Sequence, residues 1–170
     1  MSSGGSDLRT AVLETTWGDV CMDATARGVV ACRLPRREAS SKPLKLLRIP
    51  AVDFGLRQAV DFACAVIEGR EPGECPPLDE GVLSSATGFR RAIWAALQRI
   101  PRGATCTYAE LAGRAGHPGA ARAAGSACGA NPFPLFVPCH RAVAAAGGWG
   151  GFSAGLAWKI SLLAGEGVVR

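Results

Sequence analysis

The residues with the most evident chemical potential are Val137-Pro138-Cys139-His140-Arg141, where a thiol is followed directly by an imidazole and a guanidinium. Prolines at 132, 134 and 138 close in on them. Proline fixes φ and offers no N–H, so this stretch reads as an ordered loop or edge segment. A free thiol with a pKa of ~8.5 is only a few per cent ionised at neutral pH. A proton acceptor or a positive field beside it raises that fraction by up to roughly 30-fold, and His140 and Arg141 are the candidates for this work. The bland alternative is a small core cysteine, the commoner fate of the residue.

The elements that must hold this stretch come from the rest of the chain. Residues 10–15, 20–24 and 29–34 read as short strands of an antiparallel meander, broken at Trp17-Gly18-Asp19 and Arg27-Gly28. Residues 35–50 lack periodicity and read as a loop. Leu56, Ala59, Val60, Ala63 and Ile67 then recur at helical spacing, and Gly69 stops the helix. The Pro-, Gly- and acid-rich run 71–86 reads as a linker, which divides the chain into an amino-terminal α+β domain, 1–84, and a second domain, 85–170.

In that second domain Phe89, Ile93, Leu97 and Ile100 form a helical stripe that ends at Pro101. Thr107 and Glu110 match a capping box opening a short helix over 108–114. After a turn at 115–119, residues 120–129 form a thin helix of small residues on which Arg122 is the one long polar side chain. Two short helices joined by a glycine-containing turn suggest a helix-turn-helix. The glycine-rich run 147–155 lacks the Gly-Lys-Ser/Thr ending of a phosphate loop and instead lets backbone approach a ligand closely. A last helix carries Leu156, Ile160 and Leu163 as its stripe and ends near 165–167.

Composition narrows the classes. With 170 residues, 48% of them apolar, the chain can build an adequate core. No apolar run approaches the ~18 residues of a membrane span, and the amino terminus has no basic-then-apolar leader. The seven cysteines are odd in number and include no Cys-x-x-Cys, which argues against a disulfide framework or a zinc ribbon and fits a reducing cytoplasm. With two histidines in all, no metal is expected. The net +5 is unevenly spread: residues 1–87 hold ten Lys+Arg against twelve Asp+Glu, residues 88–170 nine against two. A basic half suits a phosphate-binding surface; a solvated basic face is the plain alternative.

Several motifs stand together in order: Ile100-Pro101-Arg102-Gly103, Thr107-Tyr108 with Leu111-Ala112, Ala121-Arg122-Ala123, Asn131-Pro132, Pro138-Cys139-His140-Arg141, Phe152-Ser153, and Lys159 with Leu162-Leu163 and Glu166. Through them residues 88–167 resemble the catalytic domain of the O6-alkylguanine-DNA alkyltransferases, suicidal DNA-repair methyltransferases. The implied fold is α+β, a small ribonuclease H-like domain followed by a mostly helical domain with a helix-turn-helix. The implied activity is single-turnover transfer of an alkyl group, methyl above all, from O6-alkylguanine in DNA to Cys139, with O4-alkylthymine a further candidate substrate.

The resemblance also implies roles. His140 would take the thiol proton through a water, Glu166 would orient the imidazole, and Asn131 would tie the second short helix to the Cys139 loop. Duplex DNA would be entered through its minor groove, about 6 Å wide, for which a thin helix with Gly125 is suited. Arg122 would fill the gap left by the flipped base, Tyr108 would crowd its phosphate and hydrogen-bond the base, Phe152 would wall the pocket, and the Ser153 N–H would bind O6. No cofactor is implied. The expected molecule is a monomer that clusters on DNA, cytoplasmic, in the nucleoid or, in a eukaryote, the nucleus.

Phe152 stands where many members have tyrosine, and Ala142 and Cys128 are smaller than usual, which would admit bulkier alkyl groups. Three rivals remain. An alkyltransferase-like protein that only binds the lesion lacks the cysteine, a transcriptional regulator would carry a further metal-cysteine sensor domain, and a cysteine hydrolase would turn over repeatedly.

Overall fold

The computed structural model describes residues 7–52 and 54–169. Most of the amino-terminal run read for a leader, residues 1–6, lies outside them. The described chain begins with three antiparallel strands, β1 (Arg9–Thr15), β2 (Gly18–Thr25) and β3 (Gly28–Arg33), and a fourth, β4 (Leu46–Arg48), completes a sheet of order β3-β2-β1-β4. Alternation decides which face is covered: Ala11, Leu13, Val20, Met22 and Ala24 point inward and are buried. Helix α1 (Phe54–Ile67) packs on that face with Leu56, Ala59, Val60, Ala63 and Ile67, the stripe expected from the sequence.

Before residue 87 two stretches differ from the sequence reading. The 35–50 loop contains β4, three residues paired with β1 at Glu14↔Arg48 and Thr15↔Leu46 across a bulge. The 71–86 linker contains α2 (Glu80–Ser85), capped by Asp79, and a bridge from Leu78 to Val29. Pro77 and Asp79 exchange backbone hydrogen bonds with Val29, and a Cβ at Gly28 would run into the Pro77 carbonyl. Both pieces are too short for periodicity to reveal them; long-range partners hold them.

Helix α3 (Gly88–Gln98) starts at Thr87 and buries Ile93 and Leu97, each worth roughly 1.5–3 kcal/mol of burial. A two-stranded parallel pair follows, β5 (Cys106–Thr107) with β6 (Ala142–Val143). Helix α4 (Tyr108–Arg114) begins with the complete Thr107–Glu110 capping box, and α5 (Ala121–Gly129) follows after a short turn. The Trp94 Nε1–H donates to Ala127 O at 2.9 Å and locks α3 to α5.

The last helix, α6 (Leu156–Gly165), turns a different face inward than expected: Trp158, Lys159, Leu162 and Leu163 are buried, whereas Ile160 is exposed. Trp158 packs edge-on against Trp17 with ring centroids 5.2 Å apart, and its Nε1–H donates to Pro35 O at 2.7 Å. Further backbone bonds join the two halves, from Cys32 N to Pro132 O (2.8 Å) and from Arg37 N to Ala154 O (2.6 Å). No helix among the described residues is long and apolar enough to cross a membrane.

Candidate active site

Cys139 opens a single 3-10 turn, Cys139–Arg141, between the proline-rich stretch and β6. The approach to it is held by Asn131, just past the end of α5. Its Nδ2 donates to Val137 O at 2.9 Å and to Cys139 Sγ at 3.3 Å, while its Oδ1 accepts from Phe133 N at 2.9 Å. Between these contacts Leu135 adopts φ 79°, a left-handed conformation that costs a non-glycine residue about 1–2 kcal/mol. Its side chain is buried, as are those of Phe133 and Val137, and this burial offsets the strain.

The next residue, His140, is 1% exposed and its Nε2 lies 2.9 Å from Glu166 Oε1. Glu166 also accepts from Arg141, through Nε at 3.0 Å and Nη2 at 2.8 Å, and from Gly103 N at 3.1 Å. Burial alone would raise the Glu166 pKa, but the hydrogen bonds from His140 and Arg141 prevail and hold it at about 2. An ionised carboxylate at Nε2 puts the neutral ring's proton on that nitrogen. The buried Nδ1 has no hydrogen-bond partner and is left as the basic lone pair. Burial lowers the His140 pKa below its ordinary value, opposed by Glu166, so the ring is a neutral base.

The expected positive field of Arg141 is spent on Glu166 and on Ile100 O, to which its Nη1 donates at 2.7 Å. Lys159 takes that place. It is fully buried, and its Nζ donates to Ala142 O at 2.6 Å and Gly151 O at 3.1 Å, with the Tyr108 hydroxyl 3.4 Å away. Burial pushes the Cys139 thiol up, while the Asn131 amide and the Lys159 charge pull it back. The resting sulfur is therefore a protonated thiol.

The sulfur faces a cavity of about 330 Å³ lined by Tyr108, Gly125, Cys128, Cys139, Phe152 and Ser153, among others. Thus the residues expected at the site fall into two sets: Asn131 bonded to Cys139 with the His140–Glu166 pair next to it in the chain, and Tyr108, Gly125, Phe152 and Ser153 around the cavity. Arg122 lies outside the cavity, on the exposed face of α5. Burial raises the Tyr108 phenol to about 12, which keeps it a hydrogen-bond donor. Gly150 packs against this ring with φ 72°; a Cβ there would stand 2.7 Å from the Tyr108 hydroxyl. Sequence reasoning gave Lys159 no role, yet its spacing from Leu156, Leu162 and Leu163 puts it on the inward face of α6. Among the described residues no group of three or more His, Cys, Asp or Glu side chains is placed to hold a metal ion.

Comparison with known proteins places this arrangement. A family model described as the 6-O-methylguanine DNA methyltransferase DNA-binding domain matches residues 88–168. The human methylated-DNA–protein-cysteine methyltransferase is 31% identical over 168 residues, covering 95% of this chain and 81% of its own length. Its counterpart from Mycolicibacterium paratuberculosis is 46% identical over 92 residues, and there this chain spans 56% of the relative's length. A crystal structure of Mycobacterium tuberculosis OGT in complex with DNA superposes with a TM-score of 0.73 and 31% identity, over 94% of this chain and 91% of that one. By residues, geometry and full-length similarity, the chain belongs to the methylated-DNA–protein-cysteine methyltransferase family.

Proposed function

We propose that the chain repairs O6-alkylguanine in double-stranded DNA by taking the alkyl group onto Cys139, once per molecule. The observation that carries this reading is a buried sulfur facing a base-sized cavity, with a neutral His140 held by an ionised Glu166 beside it. The thiol proton passes to His140 Nδ1 through an intervening water, and the thiolate attacks the alkyl carbon in line. An S–C bond forms, the C–O6 bond breaks with its electron pair going to oxygen, and guanine recovers its lactam form by taking a proton. Glu166 stabilises the imidazolium that results. A thioether is a poor leaving group, so Cys139 is not regenerated.

The target base leaves the stack at a cost of roughly a few kcal/mol. In our reading α4, the intervening turn and α5 act as a helix-turn-helix, with α5 in the minor groove because its small residues keep it thin. Arg122, exposed on α5, fills the vacated place in the duplex. Tyr108 and the Ser153 N–H bind the base, and Phe152 walls it. The half that precedes residue 85 is the ribonuclease H-like domain of this scheme.

The test is incubation with duplex carrying labelled O6-methylguanine. Label should appear on Cys139 up to one equivalent and then stop, and Cys139→Ser should bind the duplex while taking no label. An intact lesion after binding, or turnover beyond one equivalent, would sink the reading.

A further inference from the structure

We infer that Arg102 is a positioning residue for the general base: it latches the end of α1 to the end of α6 and thereby fixes Glu166 against His140. The inference rests on the alkyl-transfer reading above. Its starting point is a charge placed between two helix ends, where carbonyls lack helical partners. Arg102 Nη2 donates to Gly69 O, just past α1, and to Gly165 O at 2.7 Å. Gly165 closes α6 and is followed directly by Glu166.

The two helix ends meet backbone to backbone. Gly69 has φ 68°, and a Cβ on it would stand 2.9 Å from both Cα and O of Gly165. Only glycine allows so close an approach. The turn that carries Arg102 also holds the carboxylate itself. Gly103 N donates to Glu166 Oε2 at 3.1 Å, and Ile100 O anchors the Arg141 guanidinium that grips the same carboxylate. Residues 100–103 therefore reach Glu166 three ways: through its preceding carbonyl, its own oxygen, and Arg141.

The consequence is that the amino-terminal half, through the end of α1, helps set the geometry of the base. Without the latch, Gly69 O and Gly165 O lose a shared charged donor and the two helix ends separate. Glu166 then presents its oxygen to Nε2 less squarely. The charged groups acting on His140 are Glu166, Arg141 and Lys159. Glu71, Cys75 and Arg102 share a rear cavity of about 290 Å³ with it, where Glu71 Oε2 lies 3.7 Å from Arg102 Nε.

The experiment is the rate of Cys139 alkylation by free O6-benzylguanine across pH, with the alkylatable fraction of each preparation measured by mass spectrometry. Arg102→Met should lower the plateau rate roughly tenfold or more, the scale expected when a catalytic group is misplaced by under an ångström. It should also move the acid limb to lower pH, since an aligned Glu166 raises the basicity of His140. Arg102→Lys should recover part of the rate. Gly69→Ala, which forces the junction open with Arg102 in place, should move the limb the same way. If the variants lose only alkylatable fraction, while the molecules that react do so at the unaltered rate and pH profile, Arg102 is merely structural and the inference falls. Failure of the unaltered protein to take any benzyl group would instead overturn the alkyl-transfer reading.

Discussion

Asn131 both places the Cys139 sulfur and, through its amide, offsets part of the rise that burial imposes on the thiol. Replacing Asn131 with alanine strands the Phe133 N–H in a buried site, at a cost of roughly 1–3 kcal/mol, and leaves the Val137 carbonyl only its bond from Cys139 N. Asn131→Ala should therefore lower stability by about 2 kcal/mol or more in urea titration. It should also move the Cys139 thiol upward, read as iodoacetamide reactivity against pH, because the sulfur loses its donor. Lys159→Met removes a second influence that lowers this thiol and unties Ala142 O from Gly151 O; alkylation by O6-benzylguanine should slow about tenfold or more. Unchanged rates would show that Lys159 serves packing alone. The adjacency of Cys139 and His140 and the motif at Asn131 were legible in the sequence. The partner of Arg141 was not, since nothing local tells a guanidinium whether it faces the sulfur or a carboxylate 25 residues away.

Helix α5 shows how an element's thinness is compatible with its own packing. A Cβ on Gly125 would lie 3.9 Å from the Tyr108 ring, an ordinary contact, so Gly125→Ala fits the isolated protein. Relieving glycine's backbone entropy in a helix should stabilise the fold by up to ~1 kcal/mol. If α5 enters the minor groove, the same change should weaken duplex binding while leaving the melting temperature equal or higher. Equal affinity in fluorescence anisotropy would place α5 elsewhere. Long periodic segments such as α1 and α3 were readable because their apolar stripes repeat over three turns. By contrast, β4 and α2 are each six residues or fewer and exist through partners in β1 and β3. The inward face of α6 was misjudged for a related reason: a lysine read as polar is buried by carbonyls from β6 and the glycine-rich loop.

For the molecule as a whole, protons bear on the network that joins His140, Glu166 and Arg141. Folding lowers the pKa of His140 below 6.5 and that of Glu166 from 4.5 to about 2. In both cases the unfolded chain binds more protons, so stability is complete above the unfolded values and is lost as pH falls. The loss should begin below 6.5 with His140 and deepen below 4.5 with Glu166. Glu166→Gln should flatten the lower limb of the urea midpoint plotted against pH; a wild-type midpoint that holds steady between about pH 7 and pH 3 would contradict this. The Trp17–Trp158 pair offers a view of the same event from another side. One indole belongs to the β1–β2 hairpin, the other to the helix that ends beside Glu166, and both are buried. Any parting of sheet from helix wets the two rings at once and reddens their emission, so the chain carries its own optical gauge of whether its halves are engaged.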